Sequence, residues 1–491
     1  MSTRKHKSTR AADPKGMSDP LLNLATPGDR VPSDPPDAEL LKGESVKSGE
    51  AAATGTPPAP LSGLDEARRR GPLGYLALLG PGLITGASDD DPSGIGTYSQ
   101  VGSQFGFGLL WTALFTFPLM AAVQEMCGRI ALHTGVGLGV TLRRKFPTWL
   151  VGIAILGLFV ANTINVGADL GAVAAGGSLL ARGHIQAIWL VVPAALLVFG
   201  LQLFADYTVI FRTFKWLTLA LFAYVLTGFL AHPALLEVLK ATFIPHLELS
   251  TAFIAALVAV LGTTISPYLF FWQASAEVDE MKAAGLATEA ARRGIRRSEL
   301  GAARFDIFTG MLFSNVVMYF IILTSAAVLH AHGKTDVQTA DQAAAALAPL
   351  AGPFAFILFA AGLIGTGLLA IPILTASAAY AIKEFLRMPG SLAVKPQYRP
   401  TFYAIIGLAT LAGVGMNFLH IDPIRALFIT AVINGFLAPP LLILIVLLAS
   451  DRKAMGRQVS GKLSKTLTWA TAALMSVAAI ALAVTALVAR T

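Results

Sequence analysis

The chain of 491 residues has one cysteine, Cys127, and eight histidines. A single cysteine excludes an intramolecular disulfide and any cysteine-built metal cage. No HxxxH pair falls in a hydrophobic segment and no HExxH motif occurs, so zinc-hydrolase chemistry has no carrier. Charge is also scarce: 13% of residues are charged and 55% are hydrophobic. Many apolar runs reach the roughly 20 residues that a bilayer-spanning helix requires. These absences exclude a soluble enzyme and leave an all-α polytopic membrane protein. Residues 1–70 lack Phe, Trp and Tyr, contain nine prolines, and set eleven Lys/Arg against ten Asp/Glu. That composition cannot build a core and predicts a disordered, cytoplasmic N-terminal tail.

Eleven spans are expected, at about 74–101, 106–132, 149–176, 186–205, 209–231, 251–276, 305–330, 350–383, 401–418, 424–449 and 466–489. With the N-terminus inside, twenty Lys/Arg fall in cytoplasmic connections and helix ends, against five outside. This asymmetry supports both the count and the orientation. It also accounts for the net charge of +8 without nucleic acid. The expected organisation is a transporter core over 71–449, in halves of about 71–231 and 251–449. Residues 450–491 add a cytoplasmic loop and an eleventh helix. A cell-membrane location follows, and a monomer is the expectation.

Two spans are interrupted. In the first, Asp89, Asp90 and Asp91 precede Pro92 and Gly94. A carboxylate in hydrocarbon costs at least ~2.5–3.5 kcal/mol, so three of them need a polar cavity. Asp91 before Pro92 also reads as the N-cap of a second half-helix. In the sixth, Gly262-Thr-Thr-Ile-Ser-Pro-Tyr268 places polar residues and Pro267 in mid-segment. Interrupted helices at matching positions of two oppositely oriented halves point to a secondary-transporter site. The implied architecture is a 5+5 inverted repeat of the LeuT type with helices 1 and 6 broken at mid-membrane. Backbone carbonyls near Ser88 and Thr263 would face a cation there. Asp91 would supply charge, and Ser266, Tyr268 and Asn434 neutral oxygens. Such ligands suit Mg²⁺, Mn²⁺ or Ca²⁺.

At these residues the chain resembles the NRAMP family of divalent-metal transporters over roughly 72–449. The family's Asp-Pro-Gly-Asn motif corresponds to Asp91-Pro92-Ser93-Gly94, and its Met-Pro-His motif to Ser266-Pro267-Tyr268. The resemblance implies that Asp91 binds metal and that Pro92 and Pro267 break the helices. The family's metal-binding Asn is replaced by Gly94 and its thioether by Ser266. Its tenth-helix Gln corresponds to Ala431, with Asn434 one turn later. Its third-helix Asp and Glu correspond to Asn165 and Ala168, and its two sixth-helix histidines to Tyr268 and Gln273. This pattern resembles the divergent branch that includes magnesium transporters. It implies transport of Mg²⁺ or Mn²⁺ with weak or absent proton coupling. The metal is substrate, and no cofactor is expected.

Asp89, Asp90 and Asp169 are candidates for an accessory ion pathway. Glu125 and Arg129 are expected to pair on one helix face. Glu277, Asp279 and Glu280 read as a solvated helix end, and residues 282–304 as an interfacial helix. The alternative function is a sodium-coupled carrier of a small organic solute on the same fold. A membrane-embedded enzyme would need a nucleophile–base pair, and none is visible.

Overall fold

The computed structural model describes residues 75, 78–205, 219–294, 297–419 and 422–488. The expected tail over 1–70 lies outside them, as does part of the fifth expected span. The described residues form helices and no strands. We number those of eight residues or more. The first half comprises α1 (Pro81–Asp89), α2 (Pro92–Phe105), α3 (Trp111–Thr134), α4 (Leu138–Lys145), α5 (Thr148–Leu180), α6 (Ala187–Phe204), α7 (Phe222–Leu230) and α8 (Leu235–Phe243). The second comprises α9 (Thr251–Thr264), α10 (Pro267–Ala283), α11 (Arg297–Val328), α12 (Ala355–Leu386), α13 (Pro400–Met416) and α14 (Pro423–Ala449), followed by α15 (Lys462–Val488).

Among the described residues, eight segments are long and apolar enough to cross a bilayer. They correspond to the expected third, fourth and sixth to eleventh spans. A ninth appears if Pro92–Leu109 and Trp111–Thr134, bent by 107°, are taken together. That bend is the connection expected between the first and second spans. The fourth span, α6, buries only 22% of its most apolar window, and Trp189 on it is 72% exposed. Such apolar exposure is suited to lipid. The sixth span, Thr251–Ala283, buries 94% of its window and therefore runs through the protein interior.

Close backbone contact positions the two broken helices. Gly86 of α1 lies directly on Gly310 of α11, and Gly262 of α9 lies on Ala431 and Gly435 of α14. A Cβ at Gly86 or Gly262 would overlap backbone that no rotamer change can move. The start of α1 is held from a distance. Asp306 Oδ1 accepts the Gly80 and Leu83 N–H groups at 2.9 Å each, and Oδ2 accepts Gly82 N–H at 2.6 Å. A helix start leaves N–H groups without intrahelical acceptors, and one carboxylate from α11 satisfies three of them.

Candidate functional site

The first break spans Asp90 and Asp91. Asp90 leaves the helical region (φ −84°, ψ 47°), and Asp91 is extended (φ −66°, ψ 170°). The Asp91 carboxylate then caps α2, its Oδ1 accepting the Gly94 N–H at 2.8 Å, with Pro92 at the first helical position. The second break spans Ile265 and Ser266, with Pro267 opening α10 in the same way.

The two breaks meet at Asp91. Its Oδ2 receives the Tyr268 hydroxyl at 3.3 Å and Asn165 Nδ2 at 3.5 Å. Tyr268 also donates to the Ser88 carbonyl at 2.7 Å. Ser266 Oγ donates to the carbonyls of Thr263 (2.6 Å) and Gly262 (3.0 Å). Both carbonyls expected to face a cation thus accept hydroxyl protons in this structure. The lone pairs of Ser266 Oγ remain free to act as a ligand.

Several buried oxygens around Asp91 lack any donor: Asn165 Oδ1, Thr263 Oγ1 and both carboxylate oxygens of Asp169. Asp169 lies one turn beyond Asn165 on α5 and is close enough to Asp91 for their charges to interact. A Cβ placed on Gly94 would sit 3.2 Å from the Tyr98 ring, 3.4 Å from the Asp89 carbonyl and 3.7 Å from Thr263 Oγ1, so the glycine lets these groups close in on the break. Asn434 is buried beside Gly435, against the α9 seam, and no hydrogen bond joins it to Asp91. The carboxylate missing from the expected third-helix positions is therefore present one turn away, at Asp169.

The three consecutive aspartates do not converge. Asp91 turns to α5 and α10, whereas Asp89 and Asp90 turn to α11. There Ser314 Oγ lies 2.6 Å from Asp89 Oδ2 and 3.2 Å from Asp90 Oδ1. Among the described residues no three His, Cys, Asp or Glu side chains form a metal-holding group. Any site here must draw on hydroxyl, amide and carbonyl oxygens. Ser314 escaped the sequence reading. Its only signal was the polar pair Ser314-Asn315 inside the seventh span.

Other charged positions serve the frame. Glu125 pairs with Arg129 as expected, and also accepts from Arg304 Nε (2.8 Å) and Ser464 Oγ (3.1 Å), tying α3 to α11 and α15. The solvated helix end expected at Glu277, Asp279 and Glu280 holds at Glu280, which is exposed, but not at the other two. Glu277 is buried and accepts from Gln273 (2.8 Å); Asp279 accepts from Tyr380 and Ser391 at 2.6 Å each. Polar partners on α12 and the loop after it take the place of water. The interfacial helix expected over 282–304 is also corrected. Its described residues contain the end of α10, the short turn Glu289–Arg292 and the beginning of α11. Glycines at 285 and 294, both at positive φ, interrupt it.

Comparison with known proteins places this geometry in context. The profile of the natural resistance-associated macrophage protein-like family, Nramp, matches residues 82–485. The divalent metal cation transporter MntH of Klebsiella pneumoniae is 26% identical over 404 residues, 82% of this chain and 92% of that protein. A manganese transporter from Eremococcus coleocola, solved with an aromatic bis-isothiourea substituted compound, superposes with a TM-score of 0.63 at 19% identity. The match covers 84% of this chain and 87% of that one. Mhp1, a nucleobase-cation-symport-1 family transporter in a closed conformation with bromovinylhydantoin bound, gives 0.51 at 17% identity, covering 83% and 91%. These neighbours share the LeuT-type fold, which the paired breaks had implied.

Proposed function

The chain belongs to the Nramp family, and from that membership and the Asp91 break we propose that it carries hard divalent cations, Mg²⁺ or Mn²⁺, by alternating access. The family consists of membrane transporters of metal cations, not enzymes. The observation that carries the finer reading is the set of donor-less oxygens around Asp91: Asn165 Oδ1, Thr263 Oγ1 and the Asp169 carboxylate. Buried acceptors without donors are costly, and a cation relieves several at once.

Asp91 supplies fixed negative charge, held in position by Gly94 N–H. Ser266, Tyr268 and Asn434 are the further oxygen ligands, together with the carbonyls of Ser88 and Thr263 once their hydroxyl donors turn away. Mg²⁺ gives up its water reluctantly, so an ion here is expected to keep part of its hydration shell. The oxygen-only donor set argues against a preference for soft metals. Proton coupling is weak in this reading and rests on Asp169 alone. The Lys/Arg asymmetry supports a cytoplasmic N-terminus and a cell-membrane location.

The same fold serves an organic-solute symporter, so fold alone does not decide the substrate. Uptake by the purified protein in liposomes, measured for Mg²⁺, Mn²⁺, Ca²⁺ and Cd²⁺ with internal pH monitored, tests the reading. Asp91→Asn keeps shape and removes charge, and uptake is expected to fall by about a hundredfold or more, well beyond a single weakened ligand. Wild-type uptake in a correctly folded Asp91→Asn protein would overturn the assignment.

A further inference from the structure

We propose a second cation site, held by Asp89, Asp90 and Ser314, separate from the Asp91 site. It deepens the transport reading and rests on it for the choice of a hard divalent ion.

The argument begins with an imbalance of protons. Asp89 and Asp90 are 0% and 1% exposed. Neither forms an ion pair among the described residues. Neighbouring side chains at a helix end would ordinarily diverge, yet both carboxylates reach one hydroxyl, Ser314 Oγ, at 2.6 and 3.2 Å. That hydroxyl has a single proton. It can satisfy one carboxylate and leaves the other facing an oxygen lone pair. The remaining oxygens, Asp89 Oδ1 and Asp90 Oδ2, are buried with no partner.

Among the described residues no other donor bonds to either aspartate. Asn315 follows Ser314, but its Nδ2 points to the Ala113 carbonyl at 2.5 Å and its Oδ1 accepts from Thr116 at 3.2 Å. Tyr98 lies close enough to both aspartates for their charges to act on it. Its hydroxyl is 3.0 Å from Thr264 Oγ1, and Thr264 donates its own proton to the Val260 carbonyl at 2.7 Å. Tyr98 is thus engaged with Thr264, and no hydrogen bond joins it to either aspartate. Asp91, by contrast, has a donor for each of its oxygens, the Gly94 N–H on Oδ1 and Asn165 Nδ2 on Oδ2. An unmet demand for positive charge is therefore present on the α11 side of the break, apart from the one beside Asp91. All its atoms are hard oxygens, and two carboxylates match a divalent ion.

Mn²⁺ binding to the full chain in nanodiscs tests this, with free Mn²⁺ counted by its paramagnetic resonance signal. The wild type is expected to hold two Mn²⁺ per chain. D89N/D90N, which preserves shape, should hold one, and D91N should hold one. If the wild type holds a single Mn²⁺ that D91N abolishes and D89N/D90N retains, the second site does not exist. Two Mn²⁺ in folded D89N/D90N would overturn it equally. A single Mn²⁺ lost in D89N/D90N and kept in D91N would sustain this site while removing the Asp91 reading. Should the double variant fail to fold, S314A keeps both charges. It should weaken one Mn²⁺ by about tenfold or more and leave the other unchanged. Two Mn²⁺ held by S314A with wild-type affinities would overturn the proposal.

Discussion

Tyr268 and Ser88, 180 positions apart in the chain, are joined by a 2.7 Å hydrogen bond from the phenol to the carbonyl. The bond closes the first break onto the second. It also occupies an oxygen that the transported ion would use. Tyr268→Phe is expected to lower stability without metal by about 1 kcal/mol, the usual worth of one hydrogen bond. It should also lower apparent Mn²⁺ affinity, because one ligand oxygen is lost while only the Ser88 carbonyl is freed. Thermal unfolding with and without Mn²⁺ measures both effects. Mn²⁺ affinity that rises in Tyr268→Phe would show that the hydroxyl is a competitor rather than a ligand.

Ser266 stands at the second break with its proton given back to its own helix. Replacing it by methionine adds a thioether to an oxygen-only site. Cd²⁺ should then gain affinity relative to Mn²⁺, since soft ligands favour soft ions. Competition between the two ions for uptake reads this directly. An unmodified protein that already binds Cd²⁺ far better than Mn²⁺ or Mg²⁺ would contradict the oxygen-site account.

Asp169 is a buried carboxylate outside the aspartate run, close enough to Asp91 for their charges to interact. Liposomes loaded with a pH dye should show little acidification during metal entry. Whatever proton influx is present should vanish in Asp169→Asn while metal entry persists. Proton influx that scales fully with metal uptake and survives in Asp169→Asn would require another carrier.

Glu289, outside the spans, gives a pH prediction. Burial works against its charge, yet hydrogen bonds from Arg144 (2.8 Å) and Arg293 (2.6 Å) hold its carboxyl below the ordinary glutamate value. A lowered folded value means that the contact stabilises above the unfolded value and that this is lost as pH falls through the folded one. Protection of the amides of residues 138–145 and 289–292 against exchange, relative to their intrinsic rates, should therefore hold near neutrality and drop once the pH falls below the ordinary glutamate range. Glu289→Gln should show the same loosening at pH 7. Unchanged exchange in that variant would mean the contact holds nothing.

Much of this architecture was legible because its signals are strong in a membrane. Pro92 and Pro267 cannot continue a helix, and three aspartates cannot face lipid, so both breaks could be located to within a few residues. The N-cap role of Asp91 followed from the adjacent proline. Side-chain direction was not legible. Consecutive aspartates read as one acidic group, but the first two belong to α11 and the third to α5 and α10. Which face each takes depends on where the helix ends, and that is set by packing against Gly310. Asp279 and Glu277 misled for a related reason. Their partners, Tyr380, Ser391 and Gln273, are common residues that carry no local sign of the contact.

The sixth span is as oily as the third, with mean hydropathy 1.9 in both, yet almost none of it touches lipid. Its apolar character thus serves two different solvents in succession. During insertion the bilayer reads it as an ordinary span. After assembly its neighbours read it by shape, and a methyl group too many at Gly262 has nowhere to go. Residues facing lipid answer only for being apolar; those of this helix answer also for their volume. Drift in sequence should therefore be freest on the outer helices and slowest along buried ones such as α9 and α10.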